Sequence, residues 1–320
     1  MVKLLSFVIP CYHSEKTINI VVDEVKKSVA ELDDFDYELI LVNDCSPDSV
    51  WDVITALCDQ DPRTKGVNLS RNFGQAAAVM AGFSKASGDY ILTLDDDGQC
   101  HVGNLKGLID KLESENYDIV YGINNKANFS FLRKLGSSFH TWVTNLLFDR
   151  PKERLTPLCI IKRFVVNEML KYTFPYTYLV GLMLRTTRNI GYFEVEHRER
   201  IAGKSGYTFR KLVGLWLDGF VSFSIRPLRI AMLFGGVFSI SGFIFGLIVI
   251  IRRLVDADIS VGWSSVISVL LVASGLNFVI LGLLGEYVGR SFMCINKTPQ
   301  YVIKECVNIL NSKENVHYEK

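Results

Sequence analysis

The sequence predicts an α/β fold: a mainly parallel, Rossmann-like sheet covered by helices, followed by an interfacial amphipathic helix and two transmembrane helices. Three observations predict it. Short apolar runs alternate with amphipathic stretches through residues 1–122, an amphipathic stretch lies at 208–224, and two long apolar runs, 230–251 and 263–285, carry no charge. Alternating β and α elements build a parallel sheet because each crossover needs a helix, and that helix then covers the sheet.

Residues 4–10, 37–44, 65–70, 90–95 and 117–122 read as strands buried on both faces, since their apolar residues run on without strict alternation. Residues 15–32, 49–59, 74–87 and 103–115 read as the intervening helices, with Ser14 placed to cap the first and Thr17 and Ile18 opening its apolar stripe. The pattern weakens over 124–178, where helices are expected, and 192–197 resembles a further strand. Over 208–224, Phe209, Leu212, Val213, Trp216, Leu217 and Phe220 recur at helical spacing, with Arg210, Lys211 and Asp218 off that stripe. Directly before an apolar run, such a helix suits the membrane interface. Each long run can cross about 30 Å of hydrocarbon at about 1.5 Å per residue. The expected organisation is an α/β domain over 1–207, a juxtamembrane helix over 208–227, a two-helix hairpin over 228–290 and a tail over 291–320. Lys204, Arg210, Lys211, Arg290 and Lys297 flank the hairpin, against Arg252 and Arg253 in its loop, which places domain and tail in the cytoplasm of a multi-pass inner or plasma membrane protein.

Composition narrows the classes. A net charge of +1 excludes a general nucleic-acid binder, which needs a basic surface to displace counterions. The mean hydropathy of +0.22 is raised by the two apolar runs and not by the rest of the chain. Seven cysteines without a CxxC pair suit reduced thiols and argue against zinc. The apolar start is short and ends at Pro10, so it reads as a buried strand and not as an export signal.

Ligands of such sheets bind beyond the carboxyl ends of the strands, and there the sequence sets polar clusters: Pro10-Cys-Tyr12, Asn43-Asp44-Cys45-Ser46, Ser70-Arg71-Asn72 and Asp95-Asp96-Asp97. Three adjacent carboxylates repel and are costly to desolvate without a cation. On an extended segment Asp95 and Asp97 point the same way and can share a hard divalent ion, which would neutralise a diphosphate leaving group. Asp44 can accept hydrogen bonds from a nucleobase or ribose, or cap the following helix. Asn72-Phe-Gly74 can present backbone N–H groups to phosphate, or serve as a plain cap. Gly203-Lys204-Ser205 is no P-loop, because position 198 is arginine where that loop needs glycine.

Val8-Ile-Pro-Cys-Tyr12, Val42-Asn-Asp44-Cys-Ser46-Pro-Asp48, Ser70-Arg-Asn-Phe-Gly-Gln75, Ala81-Gly-Phe83 and Leu94-Asp-Asp-Asp-Gly-Gln99 resemble the successive motifs of family 2 glycosyltransferases with the GT-A fold. Arg200-Ile-Ala-Gly-Lys-Ser-Gly-Tyr207, Ser222-Phe-Ser-Ile-Arg-Pro-Leu228 and Leu284-Gly-Glu-Tyr-Val-Gly-Arg290 resemble the subgroup that glycosylates polyprenyl phosphates, such as dolichol-phosphate mannose synthases and bacterial undecaprenyl-phosphate glycosyltransferases. The resemblance implies an inverting transfer from a nucleotide sugar, a UDP-sugar first among them, to a polyprenyl phosphate in the membrane, for cell-envelope glycan or lipid modification. Pro10, Tyr12 and Asp44 would contact the nucleoside. Asp95, Asp97 and Gln99 would hold Mg²⁺ or Mn²⁺ against the diphosphate, with Asp96 where the family usually has alanine. Arg71, Asp96, Arg200 and Lys204 would join the donor site, Asp97 and Glu153 would be the catalytic carboxylates, and a homo-oligomer fits the family. The chain departs from the pattern at Ser14, where a glutamate is usual, at Cys100-His-Val-Gly103, and near Thr156, where an acid is expected and Glu153 is the nearest. A polysaccharide synthase would carry Gln-x-x-Arg-Trp and more spans; a silent membrane scaffold of the same fold would turn over no nucleotide sugar.

Overall fold

A computed structural model describes residues 2–99, 102–123, 155–195, 226–255 and 262–309. These fall into two compact units: residues up to 195 together with 298–309 form one, and 226–255 with 262–297 form the other.

The first unit is built on one eight-stranded sheet. In chain order it comprises β1 (Lys3–Cys11), α1 (Ile18–Val29), β2 (Phe35–Asn43), α2 (Val50–Gln60), β3 (Thr64–Leu69), α3 (Gln75–Phe83), β4 (Tyr90–Thr93), a 3₁₀ turn (Val102–Asn104), α4 (Leu105–Ser114), β5 (Ile119–Ile123), β6 (Leu155–Lys162), α5 (Arg163–Leu170), α6 (Leu179–Thr186), β7 (Ile190–Glu194) and β8 (Ile303–Val307). The strands lie in the order β7-β5-β6-β4-β1-β2-β3-β8. β3, β2, β1 and β4 run parallel, so their carboxyl ends open on one side, whereas β6 is antiparallel to both neighbours and β8 is antiparallel to β3. This mixed, mostly parallel sheet is the expected α/β architecture.

Alternation along the strands divides the core. Leu5, Phe7, Ile9 and Cys11 of β1 join Leu39 and Leu41 of β2 in one apolar cluster with α1, α2 and α4. On the other face α3 presses so close that a Cβ on Gly82 would lie 2.3 Å from Val8 Cγ1. Residues Ala77–Phe83 are buried all round, as an apolar helix without a solvent face must be.

Three expectations change. Helices were expected within 124–178; residues 124–154 lie outside the described residues and Arg163–Leu170 is helical, yet Leu155–Lys162 is an interior strand pairing with β4 and β5. Its Leu158-Cys-Ile-Ile161 run is fully apolar, a pattern that cannot by itself separate a buried strand from a buried helix. Ser14 does not cap α1 with its hydroxyl, which is buried without a hydrogen-bond partner. Its carbonyl instead accepts the N–H groups of Thr17 and Ile18. The stretch from 298 onward, assigned to the tail, contributes the edge strand β8.

The second unit contains α7 (Arg226–Val255) and α8 (Trp263–Ile295). Both are long and apolar enough to cross a membrane: Ala231–Ile248 has mean hydropathy 2.1 and Val272–Ile295 has 1.5, with almost none of either window buried. Met232, Phe243, Phe278 and Ile295 are all more than two-thirds exposed, an apolar surface that suits hydrocarbon better than water. The expected interfacial helix over 208–227 lies outside the described residues save its last two, which begin α7.

Candidate active site

The carboxyl ends of β1, β2 and β4 carry the polar clusters, and hydrogen bonds tie them together. At the end of β2, Asp44 is buried and accepts two backbone N–H groups, from Phe73 at 2.7 Å and Gly74 at 2.9 Å. It therefore braces the turn before α3 and does not cap α2. The same bonds occupy two N–H groups in the Asn72-Phe-Gly74 turn that could have faced phosphate. Gly74 sits at φ 90°, a conformation that favours glycine. Burial pushes the Asp44 carboxyl up, and the two N–H donors only partly offset this.

The triad of aspartates separates by direction. β4 ends at Thr93 and the backbone turns at Asp96 and Asp97, so the extended geometry that would align Asp95 with Asp97 is absent. Adjacent like charges favour such a turn, which sends the carboxylates to different partners. Asp95 accepts from Gln75 Nε2 at 2.7 Å, Asp96 from the Tyr12 N–H at 2.9 Å, and Asp97 from the Gln99 N–H at 3.0 Å. Gly98 makes the return possible at φ 69°. Burial raises the Asp96 carboxyl, the hydrogen bond from the Tyr12 N–H opposes this, and the neighbouring Asp97 charge adds to it. Asp96 thus links β4 to the β1 turn.

Pro10 is buried within β1, while Tyr12 is 45% exposed and packs edge-on against His13, with ring centroids 4.6 Å apart. His13 and Cys45 both take positive φ, 59° and 51°, on neighbouring turns. Such strain in ordinary residues costs of order 1 kcal/mol or more and marks functional turns. Arg71 is exposed, with its guanidinium 4.7 Å from the centre of the Phe73 ring. Glu153, Arg200 and Lys204 lie outside the described residues. Thr156, at the start of β6, is buried and donates to the Gly122 carbonyl at 2.9 Å, so this position serves packing.

Among the described residues no cluster of three or more His, Cys, Asp or Glu side chains is placed to hold a metal. Mg²⁺ and Mn²⁺ do not need a cluster of that size, since they bind through one or two carboxylates plus phosphate oxygens and water. Asp95 and Asp97, on either side of Asp96, are carboxylates of that kind.

Several residues of the turns take roles that sequence reasoning did not assign. Ser46 Oγ accepts the His13 N–H and donates to Asp48, which accepts the Glu15 N–H; Glu15 in turn accepts the Ser49 N–H. Asn43 and Asn68 bond side chain to side chain beneath them. A buried asparagine inside the apolar β3 run was the available clue.

The match to the family model Glycosyl transferase family 2 extends over residues 6–165, through all of these turns. An undecaprenyl-phosphate 4-deoxy-4-formamido-L-arabinose transferase from Proteus mirabilis is 31% identical over 97% of this chain and 96% of its own. The chain belongs to glycosyl transferase family 2. It is an enzyme of the glycosyltransferase class with the GT-A architecture. The family resemblance continues in a transferase of the same name from Yersinia enterocolitica, 32% identical over 100% of this chain and 98% of its own. The uncharacterized glycosyltransferase YkcC of Bacillus subtilis is 30% identical over 96% and 95%.

Proposed function

We propose that this glycosyltransferase moves a sugar from a nucleoside diphosphate, a UDP-sugar before others, to a polyprenyl phosphate such as undecaprenyl phosphate at the cytoplasmic membrane face. One observation carries this reading. The likeness to undecaprenyl-phosphate sugar transferases runs from end to end, through both apolar helices as well as the α/β domain. An acceptor whose tail stays in the bilayer accounts for a hydrophobic anchor on the enzyme that serves it.

In this reading the exposed Tyr12 ring stacks on the nucleobase, while Pro10 and Asp44 shape the pocket beneath it. Asp95, Asp97 and Gln99 hold Mg²⁺ or Mn²⁺, which when bound supplies charge neutralisation for the diphosphate. Arg71, Arg200 and Lys204 add positive charge around the phosphates. An oxygen of the acceptor phosphate forms the new bond to the anomeric carbon as the bond to the nucleoside diphosphate breaks, inverting that carbon. A phosphate monoester has its second pKa near 6, so the nucleophile is already anionic at neutral pH. Glu153 is then better suited to orienting the acceptor than to deprotonating it.

The test incubates membranes containing the full chain with a panel of radiolabelled nucleotide sugars. Label from one sugar should become organic-extractable, and EDTA should prevent it. No extractable label with any donor would sink the reading. For topology, Asp256→Cys should react with an impermeant thiol reagent only from outside the cell; labelling only from within reverses the orientation.

A further inference from the structure

Three side chains and one backbone N–H form a directed line from the edge of the sheet to the turn after β2. The Ser46 N–H donates to Asn43 Oδ1 at 3.0 Å, Asn43 Nδ2 donates to Asn68 Oδ1 at 2.9 Å, and Asn68 Nδ2 donates to Glu305 Oε1 at 2.7 Å. Asn43 and Asn68 are 4% and 7% exposed, so water has little access to correct a wrong orientation. An amide can be turned over, exchanging donor for acceptor, so each asparagine is oriented only by what lies at the ends of the line. One end is a backbone N–H, which only donates. The other is a glutamate carboxylate, which accepts. The two ends agree on one polarity.

We propose that Glu305 is a positioning residue for the turn over 43–48, acting through the amides of Asn68 and Asn43. The assignment rests on the functional reading above, in which this turn receives the nucleoside. Ser46 also accepts the His13 N–H at 2.8 Å, so the same line reaches the turn beside Tyr12. Both turns hold a non-glycine residue at positive φ, which the surroundings must enforce. Glu305 is exposed and far from those turns in sequence, and pairing of β8 with β3 brings it opposite Asn68. If Glu305 is truncated, water takes its place, and water accepts and donates equally, so the polarity is no longer imposed. A lysine there, which only donates, favours the inverted line and sets an N–H of Asn43 against the N–H of Ser46.

The experiment uses the full chain in membranes and in detergent. Glu305→Ala should raise the KM for the nucleotide sugar about fivefold, the worth of one ordinary hydrogen bond, with kcat within about twofold. Glu305→Lys should raise it about tenfold, while Glu305→Gln, whose carboxamide can still accept through its oxygen but no longer forbids the inverted line, should fall between the parent and Glu305→Ala. Amide hydrogen exchange over 44–49 should quicken in Glu305→Ala and Glu305→Lys and less in Glu305→Gln, and Lys304→Ala on the same strand should change neither readout. Exchange over 303–307 reports whether β8 remains paired; where Glu305→Ala loses it, the contrast between Glu305→Gln and Glu305→Lys decides. Unchanged exchange over 44–49, a Glu305→Gln defect as large as that of Glu305→Ala, or faster exchange without a change in donor KM each overturns the proposal. A parent protein that turns over no nucleotide sugar would instead defeat the functional reading, and the exchange pattern alone would then judge the line.

Discussion

Glu38 is 4% exposed and accepts four hydrogen bonds, from Ser6 Oγ, Lys65 Nζ, the Ser87 N–H and Ser87 Oγ. It thereby joins β1, β2, β3 and the loop before β4 at the end of the sheet away from the site. Burial raises its carboxyl, yet Lys65, Ser6 and Ser87 together hold it below the ordinary glutamate value. A depressed folded pKa contributes stability that is complete above the unfolded value and lost as pH falls through the folded one. Glu38→Gln should cost about 2 kcal/mol in denaturant unfolding at neutral pH, and the cost should shrink at pH values below the ordinary glutamate value. Asp44 and Asp96 behave oppositely: their raised carboxyls make the folded state relatively more stable as pH falls towards the ordinary aspartate value. Asp97→Asn should lower transfer at least a hundredfold while melting stays within about 2 °C, because asparagine is nearly isosteric and keeps an oxygen to accept the Gln99 N–H. Full activity in that variant would remove Asp97 from the metal site.

At the scale of elements, α3 shows how closely packing is set. Adding a methyl group at Gly82 drives it into Val8 and Val42, so Gly82→Ala should destabilise by about 2–3 kcal/mol, measured by urea unfolding of the purified protein. A loss below about 0.5 kcal/mol would mean that α3 moves away freely. The first five strands and four helices were legible because apolar runs and amphipathic stretches alternate cleanly. β6 was not, since a short apolar run with no flanking turn signal fits a helix equally well, and its antiparallel direction is decided by pairing with β4 and β5. The site was legible as a set of strand-end clusters: Tyr12, Asp44 and Asp95–Asp97 do meet through bonds to neighbouring turns. Its internal wiring was not. Which N–H an aspartate receives depends on turn geometry, and Asp44 bonding to Phe73 and Gly74 joins positions far apart in the chain.

For the whole molecule, the α/β domain expected over 1–207 looks from sequence freestanding. The sheet contradicts that boundary, because β8 covers the edge of β3 and comes after both apolar helices. Ser70 donates to the Val302 carbonyl, and the Asn308 side chain donates to the carbonyls of Cys58 and Thr64, so the closure is more than strand pairing. Ending the chain at 297 should expose β3 and give concentration-dependent aggregation by light scattering in detergent, which a separately added peptide of residues 298–309 should reduce. A monodisperse truncated protein would show that the edge needs no cover.

The order of strands has a consequence for biosynthesis. A ribosome completes seven strands of this sheet early, yet the eighth emerges only after both long apolar helices have been made. Until then the nascent domain waits with one flank open, and its maturation is coupled to the synthesis of those helices. A chain cut short before residue 298 would thus carry its own mark for quality control: an unzipped β3.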